Sequence, residues 1–147
     1  YDPYVPFDGA LAEKAVTLEE LLGRADIISL HVDLRPDNHG MIGAAELSHM
    51  RPGAILINTS RGEVVDEAAL LAALARGQLA GAALDVLCGE PAIGADHPVV
   101  QASRHDPRLL LTPHLGGATV ESMAKTEVFM AHKAVEISRR LWPEPGA

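Results

Sequence analysis

Three residues with side chains suited to acid–base and anion-binding chemistry follow apolar segments: Arg61, Glu90 and His114. A histidine beside a carboxylate is held in one tautomer and its protonated form is stabilised, so the pair can give a proton to a carbonyl oxygen and take it back. An arginine holds a carboxylate through a planar fork of donors. This set suits a small 2-oxo or 2-hydroxy acid. If a hydride moves, a nicotinamide cofactor must supply it, because no side chain can.

The elements that position these residues can be read from the hydrophobic pattern. Short apolar runs predict four buried strands, at 26–32, 54–58, 82–86 and 108–112. Helices are predicted at 17–24, 44–50, 66–77 and from 119 to about 141. Thr17 and Glu20 form a capping box, Asp66 is an N-cap, and Gly23 and Gly77 are stop signals. Strands that alternate with helices predict an α/β fold, a parallel sheet with helices on both sides.

The order of strands and polar residues predicts where a site would form. Arg61 follows the second strand of this chain, Glu90 the third and His114 the fourth. The carboxyl ends of parallel strands meet at one edge of a sheet, which is where open α/β sheets bind ligands. We therefore expect the three side chains to converge at that edge.

Asp2 adds a second indication of a nucleotide. An acidic residue at the end of the second strand of a Rossmann unit binds the adenosine ribose hydroxyls and favours NAD over NADP. The glycine fingerprint, expected roughly 20 residues earlier, would precede the first residue of this sequence. We expect an incomplete Rossmann-type doubly wound parallel sheet, with the first strand and the glycine-rich loop absent. Residues 1–141 then form a partial NAD-binding domain that ends in a long helix, and 142–147 form a tail.

Composition narrows the functional classes. The 147 residues carry a formal net charge of −8 and only 3% aromatic residues, which disfavours nucleic acid and membrane surfaces as partners. The single cysteine, Cys88, excludes an internal disulfide, fits a cytoplasmic protein and is expected to be a passive thiol. No ligand spacing joins the remaining histidines, so no metal site is expected. Surface positions are expected for His39, His49, His97, His105 and His132.

Three spaced blocks resemble a known family. They are 58–67 (NTSRGEVVDE), 81–86 with the following Glu90 and Pro91 (GAALDV, EP), and 112–119 (TPHLGGAT). This combination resembles the D-isomer-specific 2-hydroxyacid dehydrogenases, and within them the D-3-phosphoglycerate dehydrogenase-like branch. The resemblance runs from residue 1 to about residue 140.

The resemblance implies roles for individual residues. Arg61 would bind the substrate carboxylate and polarise the carbonyl, His114 would be the acid/base, and Glu90 would pair with it. It implies NAD as the cofactor, a small 2-hydroxy or 2-oxo acid as the substrate, and a homodimer for the full-length protein. The implied cofactor contacts are Asp2, His31, Thr59, Ser60, Arg61, Asp85, His114, Gly116 and Gly117.

The sequence departs from the family pattern at Asp33, where the family usually has a proline two residues after its histidine. Formate-dehydrogenase relatives carry a glutamine at the position of Glu90, which disfavours that branch. Two alternatives stay open: a non-catalytic NAD-sensing module, similar to dehydrogenase-like transcriptional corepressors that keep the same triad, and an inactive truncated remnant. We expect the isolated chain to be inactive and to bind NADH weakly or not at all, and the particular acid stays open.

Overall fold

The computed structural model describes residues 1–4, 13–117 and 119–141, with side chains as far as residue 137. The chain divides into two compact units, Tyr1–Pro113 and His114–Ala147. The tail predicted at 142–147 lies outside the described residues.

The first unit is built on a parallel sheet of four strands. They are β1 (Ile27–Leu30), β2 (Ala54–Asn58), β3 (Leu79–Leu84) and β4 (Leu109–Leu111), and they lie side by side in sequence order. All three pairings are parallel. The predicted α/β class, parallel sheet and four strand positions are therefore confirmed. The third strand begins three residues before its predicted start and ends at Leu84. Asp85 and Val86, which were predicted as its last residues, therefore lie beyond its end.

Four helices accompany the sheet: α1 (Leu18–Arg24), α2 (Ala44–His49), α3 (Glu67–Ala75) and α4 (Pro98–Ser103). The predicted N-caps are present, because Thr17 Oγ1 accepts the N–H of Glu20 at 3.1 Å and Asp66 Oδ1 accepts the N–H of Ala69 at 3.0 Å. The predicted capping box at Thr17 is only half formed, since Glu20 Oε2 accepts the N–H of Val16 and not that of Thr17. Gly77 follows α3 with φ 71°. The first helix ends at Arg24 as predicted, but Gly23 lies inside it without a positive φ and does not terminate it. The sequence pattern did not indicate α4.

The helices of the first unit lie on one face of its sheet, where both faces were expected to be covered. Each helix contacts the next in order, α1 to α2, α2 to α3 and α3 to α4. The facing side chains, including Leu56 and Leu84, are buried in the core. The opposite face exposes Ile27, Ile55 and Leu110 at 60%, 37% and 61%. Right-handed crossovers that always step to the next strand in one direction place every connecting helix on the same side.

The second unit contains one long helix, α5 (Val120–Leu141), which confirms the predicted C-terminal helix to within a residue. Thr119 begins it, since its Oγ1 accepts the N–H of Ser122 at 3.1 Å. Lys133 Nζ lies 2.8 Å from Glu136 Oε2 one turn further on. Among the described helices, none has both the length and the apolar character that a membrane span requires.

Candidate active site

The four strands of the sheet end in line. Leu30 pairs with Asn58, Asn58 pairs with Leu84, and Leu84 pairs with Leu111. The carboxyl ends of the strands therefore form one straight edge, as the sequence predicted. The first residues beyond it are His31, Thr59, Asp85 and Thr112.

The loop after β2 places Arg61 at this edge. The fully buried side chain of Asn58 organises the loop: its Oδ1 accepts hydrogen bonds from the N–H and the Oγ of Ser60, at 3.0 and 2.8 Å, and its Nδ2 donates to the carbonyl of Arg61 at 2.9 Å. Arg61 is exposed, and one N–H of its guanidinium donates to the carbonyl of Ser60 at 2.7 Å. Asn58 was not among the residues predicted from the sequence, although it immediately precedes the predicted Thr59 and Ser60 contacts.

Thr59 and Ser60 differ in what their side chains can offer a ligand. Thr59 is exposed at the edge, so its hydroxyl is accessible. Ser60 is buried, and its hydroxyl proton is donated to Asn58. The structure therefore gives Ser60 a role in shaping the loop, and its contact with a cofactor stays a prediction.

The loop after β3 carries Glu90, which is half-buried. Glu90 Oε1 accepts the N–H of Leu87 at 2.8 Å, which folds the loop back on itself. The next N–H, that of Cys88, donates to Glu67 Oε1 at 2.8 Å. The loop that presents Glu90 is thus held by two carboxylates, one of its own and one from α3.

The Arg61 and Glu90 loops pack backbone against backbone at Gly62. A Cβ at this glycine would lie 2.0 Å from the carbonyl carbon of Leu87 and 2.2 Å from the nitrogen of Cys88. Real side chains do not approach a backbone so closely, and the φ of Gly62 is not positive, so the glycine is required by space and not by backbone conformation. This junction makes the two loops neighbours.

Asp85 is a buried carboxylate at the same edge, only 7% exposed. The hydroxyl of Thr112, the first residue after β4, donates to its Oδ1. Its backbone N–H donates to the carbonyl of Asn58 at 2.9 Å. A buried polar group is stabilised when it is hydrogen-bonded, and the Thr112 hydroxyl supplies such a bond to the Asp85 carboxyl group.

Two predicted cofactor contacts lie nearer the start of the chain. His31 Nε2 and Ser29 Oγ form a hydrogen bond of 2.8 Å at the end of β1. Asp2 was expected at the end of a strand, but residues 1–4 contain no strand, and Asp2 Oδ1 instead accepts the N–H of Tyr4 within a turn. A carboxylate that hydrogen-bonds its own backbone two residues on favours a turn over extended pairing.

Asp33, where the sequence departs from the family pattern, lies in the loop after β1 and contacts Arg35. Its carboxylate accepts a hydrogen bond of 2.7 Å from Arg35 Nε, and the guanidinium of Arg35 lies 5.2 Å from the centre of the Tyr4 ring. The loop after β1 is thereby linked to the first four residues by a cation–π contact.

The second unit supplies the other predicted residues. His114, its first residue, has φ 53° and is the one described non-glycine residue with positive φ. Such a conformation is uncommon away from glycine and is concentrated at functional sites. Gly117 has φ 95°, which a side chain would disfavour.

The surroundings of Cys88 disfavour its thiolate form. Burial raises the pKa of its thiol, and the nearby carboxylates of Glu63 and Glu67 raise it further.

No group of histidine, cysteine and carboxylate side chains suited to a metal occurs in the described part of the chain. His97, which was expected at the surface, is half-buried, with 18% of its side chain exposed.

A cavity of about 460 Å³ lies away from this edge, beside the start of β4. Its polar lining is His105 and the ion pair of Asp106 with Arg108, whose atoms approach to 2.6 Å. Hydrogen bonds from Arg108 hold the pKa of the Asp106 carboxyl below its usual range. This pair is satisfied internally, and the strand ends remain the better candidate site.

The known proteins to which this chain is similar include dehydrogenases that act on hydroxy acids. The family described as "D-isomer specific 2-hydroxyacid dehydrogenase, NAD binding domain" matches residues 1–116. The D-3-phosphoglycerate dehydrogenase of Escherichia coli is 46% identical over 121 residues, which is 82% of this chain and 29% of that protein. The chain thus spans about a third of that relative.

Solved structures agree on the fold. The apo D-mandelate dehydrogenase of Rhodotorula graminis has a TM-score of 0.76 at 34% identity, with 95% of this chain and 39% of that chain covered. A D-isomer specific 2-hydroxyacid dehydrogenase from Xanthobacter autotrophicus, in complex with NADPH and MES, has a TM-score of 0.66 at 34% identity, with 82% and 48% covered.

Proposed function

The chain belongs to the D-isomer-specific 2-hydroxyacid dehydrogenases, within their NAD-binding domain, and from this premise we propose that it forms the cofactor side of a dehydrogenase active site. The proposed reaction transfers a hydride between NAD(H) and a small D-2-hydroxy acid or its 2-oxo acid. The observation that carries the proposal is the line of four strand ends, where the Arg61 and Glu90 loops pack together at Gly62. The predicted family and the class of cofactor, a nicotinamide dinucleotide, are confirmed by the family match.

Arg61 is the proposed anchor for the substrate carboxylate. Its guanidinium donates one hydrogen bond to the carbonyl of Ser60, and no other hydrogen bond joins the guanidinium to the described residues. The exposed remainder of the fork can hold a carboxylate with two bonds. The bond to Ser60 also limits the directions in which the side chain can point, which favours a fixed substrate orientation.

His114 is the proposed acid/base and Glu90 the carboxylate that stabilises its protonated form. In reduction His114 gives a proton to the carbonyl oxygen of the 2-oxo acid, and in oxidation it takes the proton of the hydroxyl. The resemblance assigns these two roles, and the left-handed backbone of His114 and the ordered loop of Glu90 support them.

The residues present fit a nicotinamide dinucleotide. A parallel sheet binds such a ligand beyond its carboxyl edge, and this edge carries an exposed hydroxyl at Thr59 and a hydrogen-bonded buried carboxylate at Asp85. When bound, the cofactor supplies or accepts the hydride. Its proposed contacts are Asp2, His31, Thr59, Ser60, Asp85, Gly116 and Gly117. Asp2 is proposed to select NAD over NADP by repelling a 2′-phosphate.

The test is turnover of the protein expressed from its complete gene. We expect oxidation of NADH with at least one member of a panel of 2-oxo acids. His114→Asn should lower kcat by roughly 100-fold or more, and Arg61→Lys should lower kcat/KM by about 10- to 100-fold because the fork is lost. The matched controls, His132→Asn and Arg104→Lys, change exposed residues of the same types and should leave turnover unchanged.

Two outcomes would favour the alternatives. NADH binding without turnover of any 2-oxo acid would favour a sensing module. Failure to bind NADH would favour an inactive remnant. The chain of 147 residues contains no GxGxxG motif to cradle a pyrophosphate, so tested alone it is proposed to bind NADH weakly and to lack turnover. Micromolar binding in calorimetry would contradict this. A homodimer is proposed for the full-length protein, which light scattering on that protein tests.

A further inference from the structure

A carboxylate that the proposed reaction does not use, Glu67, contacts the loop that carries Glu90. Glu67 is the first residue of α3, and its side chain is only 15% exposed. Its Oε1 accepts the N–H of Cys88 at 2.8 Å, across 21 positions of sequence. A bond to a charged acceptor is stronger than one between neutral groups. A helix residue therefore fixes the backbone two residues before Glu90.

The second oxygen of Glu67 faces His97, the residue that precedes α4. Oε2 lies 3.4 Å from His97 Nε2. The other ring nitrogen, Nδ1, is buried and has no hydrogen-bond partner in the described ranges. The contact with Glu67 Oε2 is thus the polar contact of the His97 ring in the described residues, while Oε1 of the same carboxylate accepts the N–H of Cys88.

These contacts reach Glu90 through the peptide that joins Leu87 to Cys88. One side of this peptide lies against Gly62, with no room for a Cβ between them. The N–H of Cys88, which belongs to this peptide, donates to Glu67, and the N–H of Leu87, which belongs to the preceding peptide, donates to Glu90. Because the two peptides share Leu87, we expect a movement of the first to shift the backbone donor that the Glu90 carboxylate binds.

We propose that Glu67, itself oriented by His97, is a positioning residue for Glu90. The inference rests on the proposed function, because it is Glu90 that is positioned for a reaction. Glu67 contacts the loop backbone and reaches no reacting atom through its own side chain. Its loss is expected to lower kcat, which depends on the direction of Glu90, and to leave the KM for NADH unchanged.

The first test measures the loop without any reaction. Amide hydrogen exchange of Cys88, followed by NMR on the chain, should accelerate about tenfold in Glu67→Ala, since the acceptor is lost. Glu67→Gln keeps an acceptor oxygen of the same reach and should stay within about threefold of the unmodified chain. Glu63→Ala is the matched control: it removes another negative charge near Cys88 but no hydrogen bond to it, and should not change the exchange rate.

The second test measures turnover of the protein expressed from its complete gene. Glu67→Ala should lower kcat by about tenfold or more with an unchanged KM for NADH, and Glu67→Gln should restore most of the loss. His97→Phe removes the contact with Glu67 while it keeps a ring in the same space, and should give a smaller loss of the same kind. It also serves as the second variant if Glu67→Ala does not fold.

The two tests separate the possible failures. Unchanged exchange at Cys88 in Glu67→Ala and in His97→Phe would overturn the proposal whatever the enzyme does. Faster exchange with unaltered kcat, in a protein where Glu90→Gln does lower kcat, would overturn it as well. If Glu90→Gln itself leaves kcat unchanged, the proposed role of Glu90 fails, and the exchange rate of Cys88 decides whether Glu67 holds the loop.

Discussion

Replacing Gly62 by alanine tests the junction between the Arg61 and Glu90 loops directly. The added Cβ would lie 2.0 Å from the carbonyl carbon of Leu87, whereas ordinary contact begins at 3.4 Å. The neighbouring backbone would have to retreat by about 1.4 Å, which is the difference between these distances. Both groups are backbone, so no side chain can rotate away to relieve the overlap.

The expected cost follows from this geometry. Overpacking a well-filled site costs about 1–3 kcal/mol, and a clash with backbone belongs at the upper end of that range. At about 3 °C per kcal/mol for a chain of this size, the melting temperature should fall by roughly 6–9 °C. A displacement near 1 Å between positioning groups also lowers turnover by about 100-fold, so the complete enzyme should lose activity beyond its loss of stability.

The assays are thermal and urea denaturation of the chain, both followed by circular dichroism, with Gly23→Ala as the control. Gly23 lies inside α1 without a positive φ, and a Cβ added there would have the carbonyl oxygen of His49 as its nearest heavy atom, 4.0 Å away. There the same substitution should stabilise the chain by about 0.5–1 kcal/mol, because alanine favours a helix. The packing argument is refuted if Gly62→Ala denatures at the same urea concentration as the unmodified chain while Gly23→Ala shows its gain.

Three further predictions concern the same edge. Asn58→Ala should cost about 2–4 kcal/mol in the free energy of unfolding, measured with urea, because a buried side chain with three hydrogen bonds is lost. Thr112→Val should cost about 1–3 kcal/mol in the same assay, since Asp85 loses a donor. Alkylation of Cys88 should reach half its maximal rate at a pH above the usual range of a thiol, because its pKa is raised, and Glu67→Gln should lower that pH.

Much of the fold was predictable because its signals are local. An apolar run such as 54–58 has few stable alternatives to a buried strand, and Asp66 caps α3 through a bond that spans three residues. The six-residue α4 was not predicted, because His97 makes no side-chain cap and no glycine or proline follows within three residues of its end. The equally short α2 was predicted because Pro52 and Gly53 mark where it stops. The single covered face of the sheet depends on the direction of strand succession, which the hydrophobic pattern does not contain.

The candidate site was predictable only as a set of residue types. The order of Arg61 and Glu90 after successive strands indicated a common edge, which the register of the strand ends supports. The contacts that shape the edge were missed, since Asn58 was predicted only as the last residue of a strand and Glu67 lies inside the predicted helix 66–77. The hydrogen bond that the N–H of Cys88 donates to Glu67 joins positions 21 residues apart, and no periodic pattern in the sequence indicates it.

Gly62 and Glu67 both act on the position of the Leu87–Cys88 peptide, so we expect their effects on this loop to depend on each other. Gly62 lets the peptide approach, and Glu67 holds it there through the N–H of Cys88. If a larger residue replaces Gly62, the peptide moves and its hydrogen bond to Glu67 is weakened. A second substitution, at Glu67, should then cause a smaller loss than it does in the unmodified protein. Groups that act on one segment couple in this way, and their contributions do not add. The direction of Glu90 is therefore a property of the junction as a whole, and neither residue alone accounts for it.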